Sequence, residues 1–165
     1  MIVYKFGGTS VGSAARMKSV ADLITRDDKQ KIVVLSAVSG TTDTLIRLSA
    51  STPEDGKKII AGMELQYQQY VHDLLTYEDC KLAAARFLEL TFFSLREALE
   101  KDLPRDEKWF VAYGELMSTS LLSLLLVKRE IDSAYLPALD FMRIKEGEPD
   151  MESIKKLLPE VLAAT

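Results

Sequence analysis

Near its start the chain twice runs a short apolar segment into a loop of glycines and hydroxyls and then into an amphipathic helical pattern. No other feature restricts its fold as much. IVYKF (residues 2–6) is closed by Gly7 and Gly8; Ser13 then suits a helix N-cap ahead of Met17, Val20, Ala21 and Ile24, and Asp27, Asp28 and Lys29 end the helix. IVVLSAV (32–38) is an unbroken β-branched run of the kind buried on both faces of a parallel sheet. It is followed by SAVSGTTD and a helix carrying Leu45, Ile46 and Leu48. Strand, loop and helix in this order predict an α/β protein, with a mostly parallel sheet and flanking helices.

Pro53 opens a long helical stretch in which Ile60, Met63, Tyr67, Tyr70 and Leu74 form one stripe and Ala85, Leu88, Phe92, Leu95 and Leu99 another. Two long antiparallel helices are expected, with the Met and Tyr side chains serving as packing. Pro104 and the charged run 105–108 end the pair. WFVAY (109–113) has strand character, Gly114 permits a tight turn, and a Leu-rich buried helix follows with Ser118, Thr119 and Ser120 near its start. SAYLPAL (133–139) is a strand candidate that Pro137 confines to an end or an edge. Residues 148–165 form a last helix, which Pro159 should break or kink.

The 165 residues suffice for one core, and a net charge of -4 gives no general attraction to nucleic acid or to an anionic membrane. Any anion must therefore be held by local geometry. Cys80 is the only cysteine, which excludes an intrachain disulfide and a thiolate-rich metal site and suits a reducing, cytoplasmic setting. It is read as a core residue. His72, the only histidine, has no second ligand at metal spacing. No apolar run is read as spanning a membrane, and the start lacks the pattern of a signal peptide.

Three loops, KFGGTSVGS, SAVSGTTD and YGELMST, are each expected at the carboxyl end of a strand and the start of a helix. In an open parallel sheet such loops share one edge, where backbone N–H groups meet anions. Gly7 and Gly12 have the spacing of a P-loop, but Ser13 stands where that motif requires lysine, and no G-x-G-x-x-G is present. What remains is Lys5, two residues before a glycine pair that allows a phosphate close to the backbone. By spacing alone, a tight turn with a surface lysine is an equal reading. For Glu115 the residues alone favour a capping carboxylate in the first turn of its helix over a site residue.

KFGGTSV, VLSAVSGTTD and GELMST, in that order, resemble the three N-terminal signatures of the aspartate kinases, and the likeness extends over essentially the whole chain. The resemblance implies an amino-acid kinase (carbamate kinase-like) fold, here incomplete, with a helical insertion over about 53–103 between the second and third strands. It implies transfer of the ATP γ-phosphoryl group to the β-carboxylate of L-aspartate, giving 4-phospho-L-aspartate, the first step toward lysine, threonine and methionine. A carboxylate is ionised at neutral pH and needs no general base, so the lack of a catalytic His or Cys fits this chemistry. The obstacle is repulsion between two anions, and phosphoryl transfer is mainly positioning and charge stabilisation.

By the same resemblance Lys5 would neutralise the transferring group as the catalytic cation. Gly7 and Gly8, with Thr9 and Ser10 beside them, would bind phosphate. Ser36 and Thr42 would contact aspartate, Glu115 would hold its ammonium group, and Ser39 would add a hydroxyl. ATP with Mg2+ is implied, although no carboxylate cluster suits the metal, so the nucleotide would bring most of its ligation. The chain is expected to be the amino-acid-binding part of the kinase domain, without the nucleotide lobe or regulatory domains. It is expected to be inactive alone and prone to self-association as a homo-oligomer. A non-catalytic amino-acid-binding or assembly module of the same fold is the alternative.

Overall fold

The computed structural model describes residues 2–101 and 105–163, which divide into two compact units meeting at Ile131 and Asp132. The expectations for Pro104 and for the chain's last two residues lie outside the described residues.

The first unit opens with β1 (Ile2–Phe6), a short 3-10 helix (Gly8–Val11) and α1 (Ala14–Ile24), which the Ser13 side chain caps by accepting the Arg16 N–H at 3.3 Å. β2 (Lys31–Leu35) lies parallel to β1, with Lys5 opposite Val34 and Phe6 opposite Leu35. Next come α2 (Thr41–Ser49), α3 (Pro53–Leu74), α4 (Glu78–Glu100) and α5 (Glu107–Lys128). This is the expected α/β architecture, with a parallel strand pair and flanking helices.

The sheet departs from expectation in its burial. Tyr4, Phe6 and Val33 pack with buried Leu35 against the core, but Val3, Ile32 and Val34 on the other face are exposed. The helices of this unit cover one face only, so the β-branched run of β2 is not buried on both.

α3 and α4 pack antiparallel, as the contacts along them show. Gly56 lies against Leu99, Lys57 pairs with Glu100 at 2.6 Å, Glu64 with Arg96 at 2.5 Å, and Tyr67 meets Phe92 edge to face. The stripe from Ile60 to Leu74 is buried as expected, whereas on α4 the buried position is Ala84 and not Ala85. Buried Cys80 sits among the core residues, its thiol pKa raised by desolvation.

The expected third strand does not exist. WFVAY is the start of α5, whose first turn is capped by Asp106 accepting the Lys108 N–H at 2.9 Å. Five apolar residues in a row do not reveal their period. The longer register does: Phe110, Gly114, Met117, Leu121 and Leu125 are all buried, at helical spacing. Trp109 and Tyr113, one turn apart, stack edge to face at 4.7 Å. By length and mean hydropathy α5 is long and apolar enough to cross a membrane. However, half of its most apolar stretch is buried within the protein, with Phe110, Met117 and Leu121 wholly enclosed.

The second unit holds α6 (Ala138–Phe141), a hairpin of β3 (Ile144–Lys145) and β4 (Glu148–Pro149), and α7 (Met151–Ala163). SAYLPAL is not a strand, because Pro137 instead precedes the first turn of α6. Glu146 and Gly147, both at positive φ, make the two-residue turn that such a hairpin requires. α7 runs through Pro159 to Ala163 and is not ended there. A proline this close to a helix end removes one hydrogen bond without stopping the last turn.

Candidate functional site

The register of β1 on β2 decides what stands at the carboxyl ends of the strands. Ser36 N–H donates to the Phe6 carbonyl at 3.0 Å, which carries the pairing one residue past β2. The exposed Lys5 side chain thereby reaches the Ser36 hydroxyl, Nζ to Oγ 3.4 Å. No salt bridge engages Lys5 among the described residues, so its charge is not spent on a neighbouring carboxylate.

The first and second loops touch. A Cβ built on Gly8 would lie 2.8 Å from the Ala37 carbonyl oxygen, so any side chain there would push the loops apart. Nothing stands within 4 Å of the same point on Gly7. The N–H groups of Gly7 and Gly8 have no protein acceptor among the described residues and are free to serve an anion. Thr9 is exposed and Ser10 half-buried in the 3-10 turn, which Arg16 steadies from α1 by donating to the Thr9 carbonyl at 2.8 Å.

α5 supplies the third side. Glu115 is not in the first turn of its helix but eight residues beyond its start, so it is no capping residue. Its carboxylate instead accepts the backbone N–H of Ala37 at 3.3 Å. Ser118, buried one turn later, donates to the carbonyl of Ser36 at 2.9 Å. GELMST therefore meets the second loop from mid-helix. Lys5, Ser36 and Glu115 are brought together, linked through the Ser36–Ala37 backbone.

Thr42 sits half-buried in the first turn of α2. Its neighbour Thr41 turns inward, and its hydroxyl shares a 3.0 Å hydrogen bond with that of Tyr67. Ser39 lies exposed in the second loop, against the point where a Gly12 Cβ would stand. Sequence reasoning gave Thr41, Tyr67 and Ser118 no part in the site; the hydroxyls of SAVSGTTD and GELMST were the available signal for the first and the last. His72 is exposed, and its ring pairs with Asp73 beside it. Among the described residues no three His, Cys, Asp or Glu side chains cluster to hold a metal ion; a magnesium ion held by one or two carboxylates and the phosphates of its nucleotide needs no such cluster.

Burial, and secondarily the negative charge of Glu115, push the Tyr67 hydroxyl up to about 12, against the opposing effect of its bond to Thr41. The unfolded chain ionises this group from pH 10, whereas the folded chain holds it neutral for about two units more. Its contribution is therefore full below pH 10 and is lost as pH rises through about 12. Tyr67→Phe is expected to show a shallower alkaline loss of stability than the natural chain, by about 2 kcal/mol across that window, in urea unfolding measured at stepped pH.

A family described as the amino acid kinase family matches residues 1–164. The chain belongs to the amino acid kinase family. Within it, the chain is 29% identical to lysine-sensitive aspartokinase 3 of Escherichia coli over 95% of its own length and 36% of that protein's. It is 30% identical to the chloroplastic bifunctional aspartokinase/homoserine dehydrogenase of Daucus carota, over 94% of its length and 18% of the other's. The crystal structure of E. coli aspartokinase III in complex with lysine and aspartate superposes with a TM-score of 0.80 at 28% identity, covering 99% of this chain and 39% of that one. The same enzyme in complex with aspartate and ADP gives 0.79. The chain thus spans little more than a third of the length of these E. coli relatives, and less of the carrot protein.

Proposed function

We propose that this member of the amino acid kinase family forms the aspartate-holding side of an aspartate kinase, which transfers the γ-phosphoryl group of ATP to the β-carboxylate of L-aspartate in the cytoplasm. The observation that carries the reading is the junction at Ser36–Ala37, where the Lys5 ammonium and the Glu115 carboxylate approach the same loop from opposite chain neighbours. The aspartate bound in the E. coli relative supports the substrate, and its ADP supports the phosphoryl donor.

In this reading Glu115 keeps lone pairs beyond the one used by Ala37, and these accept the substrate ammonium. Ser36 and Thr42 offer hydroxyls to the body of the amino acid. Lys5, with the free N–H groups of Gly7 and Gly8, faces the β-carboxylate and the group arriving on it. Two like-charged reactants then meet beside a fixed cation. At about 4 Å and an effective dielectric near 20, one such contact is worth on the order of 4 kcal/mol before desolvation. The protein's work is orientation and charge stabilisation, with no proton to remove.

The test is discrimination between L-aspartate and succinate, which lacks only the amino group. The natural chain is expected to bind L-aspartate about tenfold more tightly by calorimetry, and Glu115→Gln to lose that preference, as for other charged hydrogen bonds. A preference unchanged in Glu115→Gln would contradict the assignment.

A further inference from the structure

Tyr67 and Tyr70 lie one turn apart on α3, and both rings fit its buried stripe; Tyr67 packs edge to face on Phe92 at 6.2 Å and lies 6.3 Å from Tyr70. Phenylalanine would fill the same space. What distinguishes these residues is where the hydroxyls go. Tyr70 donates to the carbonyl of Val11 at 2.7 Å, at the end of the first loop's 3-10 turn. Tyr67 shares its 3.0 Å bond with Thr41, at the end of the second loop. A phenol is tolerated in an apolar interior only when its hydroxyl is paired, and here both pairings are made with the loops.

We infer that Tyr67 and Tyr70 are positioning residues: α3 is a brace whose two hydroxyls hold the first and second loops at one fixed separation. The inference rests on the proposed function, since those loops carry Gly7, Gly8 and Ser36. Positions three apart on a helix are separated by about 4.5 Å along its axis and share a face, so the two anchor points cannot move independently. α3 is itself held against α4 by the Lys57–Glu100 and Glu64–Arg96 pairs. The loops contribute hydroxyls and amides to one small substrate, and the brace keeps those groups at the spacing that substrate needs.

Amide hydrogen exchange tests the brace without requiring turnover. The Ser10 and Gly12 amides, bonded within the first loop, report on one anchor, and the Thr41 and Thr44 amides report on the other. Tyr70→Phe should speed exchange at Ser10 and Gly12 about fivefold and leave Thr41 and Thr44 unchanged; Tyr67→Phe should do the reverse. Interior amides of α4 act as the reference for global destabilisation. Thr41→Val should reproduce Tyr67→Phe, and Thr41→Ser, which keeps the hydroxyl, should match the natural chain. Equal acceleration everywhere, or none at the loops, would overturn the brace. Calorimetry with L-aspartate separates this result from the site reading. Severalfold weaker binding in both phenylalanine variants supports positioning, and unchanged affinity despite loosened loops overturns it. A natural chain that does not bind aspartate counts against the proposed function, and the exchange pattern still decides the brace.

Discussion

Lys5→Ala is expected to weaken binding of the phosphonate isostere of 4-phospho-L-aspartate, with CH2 in place of the bridging oxygen, by about a hundredfold. L-aspartate itself should lose only severalfold. The difference follows from where the charge sits. Lys5 is the last residue but one of β1, opposite Val34; it reaches across to the Ser36 hydroxyl, and the unpaired Gly7 and Gly8 amides follow it two and three residues on. A hydrogen bond to a charged group contributes about 1.5 to 3 kcal/mol, and the phosphonate dianion makes this contact with its full charge. Aspartate lacks that dianion and keeps its recognition by Glu115. Calorimetric titration of both ligands against both proteins gives the ratio. An equal loss for the two would show that Lys5 serves binding in general and not the phosphoryl group.

Gly114→Val is expected to destabilise the protein by about 3 kcal/mol, as overpacking of a closed core does. A Cβ at Gly114 would stand 2.7 Å from the Ala37 Cβ and 3.5 Å from the Leu45 and Thr41 side chains. The Ala37 methyl is fixed to the backbone and has no rotamer to escape into, so α5 and the second loop must separate. Gly114→Ala meets the same clash at its first atom, yet gains about 1 kcal/mol of helix propensity, so its loss should be smaller. Both variants should disturb the Ala37 N–H bond to Glu115, because the neighbouring residue makes it. Urea unfolding measures the first effect and the Ala37 amide shift the second. A valine variant as stable as the natural chain would show that α5 has room to move.

Gly114 also shows why part of the fold was legible and part was not. In the sequence it stands between an apolar run and a row of hydroxyls, which suggests a turn between strand and helix. Its actual reason is tertiary: the absence of a side chain lets the middle of a long helix approach Ala37. No local pattern carries that information. β1, β2, α1 and the two amphipathic helices α3 and α4 were readable from their apolar residues, whose pattern in α1 and α3 agrees with a side-chain cap at Ser13 and at Thr52. The run at 109–113 failed because five apolar residues fit either period until Asp106 and Leu121 are counted with them. The hairpin at 144–149 carries its signal only in Glu146 and Gly147, a turn short enough to pass unnoticed. The hydroxyl pattern was legible at Ser36, while Thr41 and Thr42 could be sorted only by the inward rotation of α2. Tyr67 and Tyr70 read as packing, which their rings do; their hydroxyls answer to loops far away in the sequence.

Titration of the isotope-labelled chain with L-aspartate, followed by amide chemical shifts, decides whether the two loops and α5 share one substrate. Saturable shifts are expected at Gly8, Ser36, Ala37 and Glu115 that fit one binding constant, with succinate shifting the same amides only at higher concentration. Shifts confined to residues outside the two loops and α5, or no saturable shift at these four, would contradict a shared site.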